Sequence, residues 1–487
     1  MHLERDKIYD APEGEVWSTV KPASTYNGTP RRLAKRWDHR WSDESLTQGV
    51  SPLKDSSKTV NPSTTIPLGT GRPTALYYPW QSMTMAGTEA SRQPRALKPT
   101  SAMTCAKGEA AFDLSSALNY GEPSGWSQLV SFFRETTGRV HRPPYADWDT
   151  TLTCGSTSAI DLVLRMFCNR GDCILTEAFT YPGTLMASRA QGLRTVGIGM
   201  DSDGLVPEAL DAELRGWDAS RGRKPFVLYT IPSGHNPTGV TQSTARKRAI
   251  YQVAERHDLL ILEDDPYFFL RLGRGGGEPL PTSYLSLDTS GRVVRVESTS
   301  KILAPGLRCG WLTASRQVVD MFGNFAEVGP SSPAGPSQAM LYKLLVESWG
   351  PEGFAGWLDY LSGEYGRRRD VMVVACETHL PRDVCAWTAP THGMFLWVGA
   401  ALERHPRYSG GRDADADAEL CRAVEDGICA RAEANGVLVA RGSWCDVGGC
   451  ADRVFFRMTF VATAEAADLE RGVAQFGRAV RDEFKLG

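Results

Sequence analysis

The segment Ser298-Thr299-Ser300-Lys301, with Arg308 seven residues beyond the lysine, brings an amine, three hydroxyls and a second fixed cation into one short stretch. Small hydroxyl residues can bind a phosphate. A neighbouring cation and partial burial lower the pKa of an amine, so the neutral nucleophile becomes available near pH 7. Taken alone, such a lysine reads either as a covalent anchor or as a surface residue near a strand end. Gly155-Ser156-Thr157 is similarly two-sided. It can be a phosphate cradle at a helix N-terminus or an ordinary helix cap. Pro232-Ser233-Gly234-His235-Asn236-Pro237-Thr238-Gly239 reads as a turn, or as a loop that carries an Asn amide to a ligand, with His235 in a structural role. Glu263-Asp264-Asp265-Pro266-Tyr267 offers carboxylates for a metal or for a cationic ligand nitrogen. No metal-ligating residues lie nearby in the sequence, which favours the nitrogen.

These groups need elements to hold them. Apolar and β-branched runs predict strands over 150–154, 172–176, 226–231, 259–262, 293–297 and 307–313, with helices over 158–169 and 245–257. Near-continuous apolar strands separated by helices predict a mostly parallel sheet covered on both faces, in an α/β domain. Open sheets of this kind place ligands at the carboxyl ends of their strands, where the segments above fall. Further on, helices over 353–379, 415–435 and 464–484 interleave with strands over 384–388, 394–398, 436–440 and 453–460, predicting a smaller α+β domain. The expected organisation is an N-terminal arm and linker over 1–65, a large domain over 66–350 and a small domain over 351–487. An N-terminal segment of the large domain is expected to contribute to the small one. The basic stretch Arg31 to Trp41, with Trp37 and Trp41, is expected to pack as an arm. Ser51 to Thr65 reads as linker, and His405 to Asp417 and Arg271 to Gly277 as exposed loops.

At 487 residues the chain can bury a large core, and its 41% hydrophobic and 23% charged residues are ordinary for a globular protein. A formal net charge of −3 argues against nucleic acid as the main partner, since no basic excess would release counterions. The 11 cysteines form no C-x-x-C pair and the 8 histidines do not cluster with them. The expectation is therefore no metal, no disulfide framework and a reducing, cytoplasmic setting. The N-terminus lacks the apolar run of a signal peptide and no stretch is long and apolar enough for a membrane span, so no membrane partner is expected.

Nine motifs, in order along residues 50 to 485, resemble the fold-type-I aminotransferases that use pyridoxal 5′-phosphate, in particular the kynurenine/2-aminoadipate and fungal aromatic amino-acid subgroup. They are Gly69-Thr70-Gly71-Arg72-Pro73, Tyr120 to Gly125, Gly155-Ser156-Thr157, Phe179-Thr180-Tyr181-Pro182-Gly183, His235 to Gly239, Glu263 to Tyr267, Ser298 to Lys301, Gly393-Met394-Phe395 and Phe456 to Phe460. The resemblance implies that Lys301 bonds covalently to the cofactor aldehyde and then moves the substrate proton. Asp264 would face the ring nitrogen, Asn236 and Tyr267 the phenolic oxygen, and Tyr181 the ring face. Ser156, Thr157, Ser298, Ser300 and Arg308 would hold the phosphate. Tyr120 would reach the phosphate of a neighbouring subunit, implying a homodimer with shared sites. Arg457 would grip the substrate carboxylate, for which a planar guanidinium is suited, with Gly71 and Asn236 beside the substrate. Asn236–Pro237 is a candidate cis peptide.

Departures are His235, where the family often has glutamine, Ser156 or Thr157, near where it often has an amide, and Arg142, where it often has asparagine. None removes a chemical role. The expected activity is transamination of a bulky, aromatic amino acid with a 2-oxo acid such as 2-oxoglutarate, in a ping-pong cycle. The same fold also supports β-elimination, C–C bond formation or deamination. A regulator with an aminotransferase-like sensor domain would need an N-terminal helix-turn-helix, for which residues 1–65 are too short and irregular.

Overall fold

The computed structural model describes residues 25–26, 29–49, 64, 66, 68–69, 71–90, 98–273, 280–411, 413–448 and 453–486. The strands of the large sheet are β1 (Trp148–Thr153), β2 (Cys173–Glu177), β3 (Arg194–Ile198), β4 (Val227–Thr230), β5 (Leu260–Asp264), β6 (Val293–Ser298) and β7 (Gly310–Ser315). A smaller sheet holds β8 (Cys385–Trp387), β9 (Phe395–Ala401), β10 (Ala440–Arg441) and β11 (Arg453–Thr459). Helices that matter below are α1 (Ser156–Phe167), α2 (Pro182–Ala190), α3 (Thr244–His257), α4 (Ala414–Ala434) and α5 (Ala466–Phe484). The chain divides into two compact units. One takes the described residues up to Phe167 together with Asp288–Trp357, and the other takes Cys168–Leu287 with Leu358 onward.

In the first unit β1, β7 and β6 are antiparallel neighbours in that order. β6 carries charge inside an otherwise apolar strand. Glu297 is buried and accepts from Trp311 Nε1 at 2.9 Å, while Arg295 Nε lies 3.2 Å away and His141 Nε2 3.5 Å away. Burial pushes the Glu297 carboxyl up, but Arg295 and His141 outweigh it and hold the group down at about 2. The expected arm packs here. Trp37 is fully buried and donates to Gly291 O at 2.9 Å, and Trp41 stacks on Phe167 at 4.9 Å.

In the second unit β5, β4, β2 and β3 run parallel in that order, and the first two are buried along their whole length. α3 starts where the Ser243 side chain accepts from Arg246 N and stops at Asp258, at φ 56. The small sheet is antiparallel in the order β8-β9-β11-β10. Strand alternation sorts its faces. Leu396, Val398, Ala400, Val454, Phe456 and Met458 join the core with α4 and α5, which contribute Val424, Ile428, Phe476 and Val480. Phe395, Trp397, Phe455 and Arg457 fall on the opposite face.

Two loop expectations change. Residues 405–417 are not all loop, because α4 begins at Ala414, capped by the Asp413 side chain on Ala416 N. Arg271 is not in an open loop but bridges His392, and 274–277 lie outside the described residues. The expected linker 51–65 falls almost entirely outside them. Among the described residues no helix is long and apolar enough to cross a membrane, and no group of three or more His, Cys, Asp or Glu is placed to hold a metal.

Candidate active site

The first unit gathers the hydroxyl and glycine segments around the end of β6. Ser298 Oγ accepts from Ser300 N at 3.1 Å and donates to Ser300 Oγ at 2.9 Å. Thr299 ties the turn to the entry of β7, since its N and Oγ1 both donate to Cys309 O, at 3.1 and 2.7 Å. Lys301 is therefore carried on a turn fixed at both sides and is half-buried. Arg308 is exposed and left-handed, φ 46, and its guanidinium donates to two main-chain carbonyls, Pro305 O at 3.2 Å and Cys154 O at 3.4 Å. Gly155 makes this approach possible. Its φ is +85, and a Cβ there would lie 2.5 Å from Arg308 Nη2. Ser156 opens α1, and its Oγ is buried with no hydrogen-bond partner among the described residues. Thr157 beside it is exposed. A helix N-terminus, small hydroxyls and a guanidinium make a donor set that fits a phosphate.

Tyr120, also in this unit, is 79% exposed and lines a cavity of about 430 Å³ with Arg72, Glu122, Trp126 and Gln338. Gly71 is exposed, with no atom near the position of a Cβ.

The second unit holds the other sequence-derived residues by contacts between side chains. The three acids at the end of β5 separate by strand alternation. Glu263 turns to one face and accepts from Tyr284 N at 2.8 Å and Leu285 N at 3.2 Å, a structural role. Asp264 turns to the other face, where it is 4% exposed and its Oδ2 accepts from Tyr229 at 2.7 Å. Asp265 accepts from Ser233 Oγ at 3.2 Å. Tyr267 is buried. Burial first, and the Asp264 charge second, push its hydroxyl well above the usual range, so it stays protonated as a donor.

The loop after β4 carries Asn236, 5% exposed, before a cis peptide to Pro237. Arg457 Nη1 donates to Asn236 Oδ1 at 2.7 Å, and the guanidinium lies 4.5 Å from the Phe395 ring centre. His235 sits inside the turn with Nδ1 2.9 Å from Thr238 Oγ1, in keeping with a structural role. Gly234, φ +52, packs so tightly on Gly393 that a Cβ would meet its main chain at 2.6 Å. Tyr181 precedes α2, and its ring occupies the space that a Cβ on Gly183 would need, 2.4 Å away. A buried carboxylate, two amide or phenol donors, an aromatic face and a clamped guanidinium fit a heteroaromatic ring with a protonatable nitrogen, together with a carboxylate. Pyridoxal phosphate carries that ring and the phosphate that the first unit's donors suit.

Motif reading did not identify Tyr229. The signal available was parity, because Tyr229 pairs with Leu262 on β5 and shares a face with Asp264 two residues on.

Residues 98–476 match the family model for aminotransferase class I and II. The chain is 91% identical to aminotransferase swnA of Metarhizium robertsii, over the full length of both. It is 36% identical to an aromatic amino acid aminotransferase of Schizosaccharomyces pombe, over 93% of this chain and 99% of that relative. The crystal structure of aminotransferase Aro8 from Candida albicans superposes with a TM-score of 0.84 at 33% identity, covering 94% of this chain and all of that one. With its expected fold class thus matched, the chain belongs to the class I and II aminotransferases, the fold-type-I enzymes that work with pyridoxal 5′-phosphate.

Proposed function

We propose that this aminotransferase takes a bulky aromatic L-amino acid as donor and a 2-oxo acid such as 2-oxoglutarate as acceptor, as a cytoplasmic homodimer. The observation that carries the substrate reading is the Arg457 clamp, with its guanidinium held by Asn236 and laid on Phe395. A planar fork fixed in this way pairs both oxygens of an α-carboxylate, which donor and acceptor share. An aromatic donor is supported by the name of the Schizosaccharomyces relative. It is also supported by the aromatic residues on the Arg457 face of the small sheet, where Trp397 and Phe455 stack at 5.0 Å and Phe179 meets both edge-on.

The bound cofactor supplies an electron sink that lets the substrate α-carbon give up its proton. Lys301 Nζ anchors the cofactor and then carries that proton, a service worth roughly 10²–10⁴-fold. Asp264 keeps the ring nitrogen protonated. Asn236 commits Oδ1 to Arg457, which leaves its NH₂ to donate to the phenolic oxygen beside Tyr267. Tyr181 lies on the ring face, and Ser156, Thr157, Ser298, Ser300 and Arg308 grip the phosphate. Gly71 lets main chain approach the substrate. The exposed Tyr120, with Tyr77 and Trp80 at 80% and 61% exposure, supports a surface covered by a second copy, whose phosphate Tyr120 reaches.

The test is a panel of aromatic, aliphatic, basic and dicarboxylic amino acids with 2-oxoglutarate. The highest kcat/KM should fall on an aromatic donor. A basic or dicarboxylic optimum would overturn the donor assignment. Release of ammonia without an acceptor would overturn transamination as the main reaction. Sedimentation at working concentration should give twice the mass of one chain.

A further inference from the structure

We infer that Tyr229 is a positioning residue for the cofactor ring, holding the Asp264 carboxylate ionised and in one orientation towards the ring nitrogen. This rests on the role of Asp264 proposed above. Three observations carry it. Tyr229 and Asp264 come from neighbouring parallel strands, β4 and β5, and fall on the same face. Both are buried, Tyr229 completely and Asp264 to 4% exposure. The hydroxyl donates to Asp264 Oδ2 at 2.7 Å.

A carboxylate taken out of water tends to protonate, and a protonated Asp264 would lose its charge attraction for a ring N–H. A phenol hydroxyl that donates to the ionised form opposes this. Tyr229 is suited to the task because it does not itself titrate in the working range. Burial, and then the neighbouring Asp264 charge, hold its hydroxyl far above the usual value. Its strand also fixes it. Tyr229 pairs with Leu262, two residues before Asp264 on the same face of β5, and its hydroxyl reaches the carboxylate at the strand end. Next to it on β4, Thr230 faces the other way and donates to Glu177.

The test uses the selectivity of the full-length chain for a ring that contains nitrogen. Wild type, Tyr229→Phe, Asp264→Asn and the double variant are freed of cofactor. Each is titrated with pyridoxal phosphate and with its carbocyclic analogue, which has carbon at the ring-nitrogen position, and tryptophan fluorescence is read. Tyr229→Phe should weaken pyridoxal phosphate about tenfold while leaving the analogue within threefold, as expected for loss of a hydrogen bond to a charged group. The double variant should discriminate no worse than Asp264→Asn alone. Equal weakening of both ligands would show a packing role only and overturn the inference, as would no weakening of either. If Tyr229→Phe loses its thermal transition, fluorotyrosine at 229 keeps the shape, changes the donor strength and must shift the same ratio; an unchanged ratio overturns the inference. If Asp264→Asn itself keeps the wild-type preference for nitrogen, the reading of Asp264 has failed. If Asp264→Asn loses that preference and the Tyr229 variants keep it, the inference alone has failed.

Discussion

The two units hold their chemistry by opposite means. In the first, the main chain does the positioning. Arg308 leans on two carbonyls, Gly155 makes room for it, and the Ser156 hydroxyl waits at a helix start. In the second, side chains hold side chains. Tyr229 fixes Asp264, Asn236 fixes Arg457, and all but Arg457 are buried. A phosphate is a symmetric, highly charged target that tolerates several arrangements of donors. A ring nitrogen and a planar carboxylate each demand one atom in one direction, and buried side-chain pairs supply that. Substitutions among the first unit's phosphate donors should therefore be read mainly in cofactor affinity, and those in the second unit's side-chain pairs in affinity and folding together.

The largest expected effect breaks the chemistry outright. Lys301→Ala should lower turnover by at least ~10³-fold, and borohydride should no longer fix the cofactor to the peptide containing residue 301. Normal turnover would refute the anchor. Next, Arg457→Lys should lower kcat/KM roughly 10–100-fold, chiefly through KM, because the fork is lost. Calorimetry should also show a lower Tm, since the buried Asn236 loses the partner of its Oδ1; an unchanged Tm would blur the contrast between the units. Gly155→Ala should weaken pyridoxal phosphate about tenfold, from a left-handed alanine costing ~1–2 kcal/mol and a methyl group against Arg308. Ser156→Ala is the mildest. It should weaken the cofactor by about three- to tenfold, the net worth of one ordinary hydrogen bond, without moving Tm.

Glu297 sharpens the comparison from another side, as a buried charge in the first unit that lies outside the phosphate donors. Its folded pKa, about 2, lies below the usual 4.5. The stability it contributes is thus complete above about pH 4.5 and is lost as pH falls towards 2. Glu297→Gln should flatten the acid limb of a stability–pH curve, and an unaltered acid limb would remove the charge network from the account.

Much of this was readable in the chain. The apolar runs 226–231 and 259–262 became β4 and β5 within a few residues, because strands buried on both faces leave an uninterrupted signal. The anchor, the glycine turn and the asparagine loop were each legible as local motifs. What escaped depends on pairing across strands. Tyr229 sits 35 residues from Asp264, and no local pattern joins them. The roles of Glu263, Asp264 and Asp265 could not be separated until the strand direction was known. The hairpin Ser82–Met85 with Met103–Ala106 was missed because its sequence, Met and Thr in alternation, is only weakly apolar and its strands lie far apart in the chain.

The alternation at the end of β5 also limits how this lineage can change. Glu263 secures a neighbouring turn and Asp264 turns to the opposite face, and only their order along a two-residue repeat keeps them apart. A deletion or insertion of a single codon within β5 would exchange the two acids between faces and spoil both jobs at once. A two-residue indel would restore the faces but shift the strand end. Point substitution therefore remains open to this segment while length change does not, so descendants should vary in the loops around β5 long before they vary in its length.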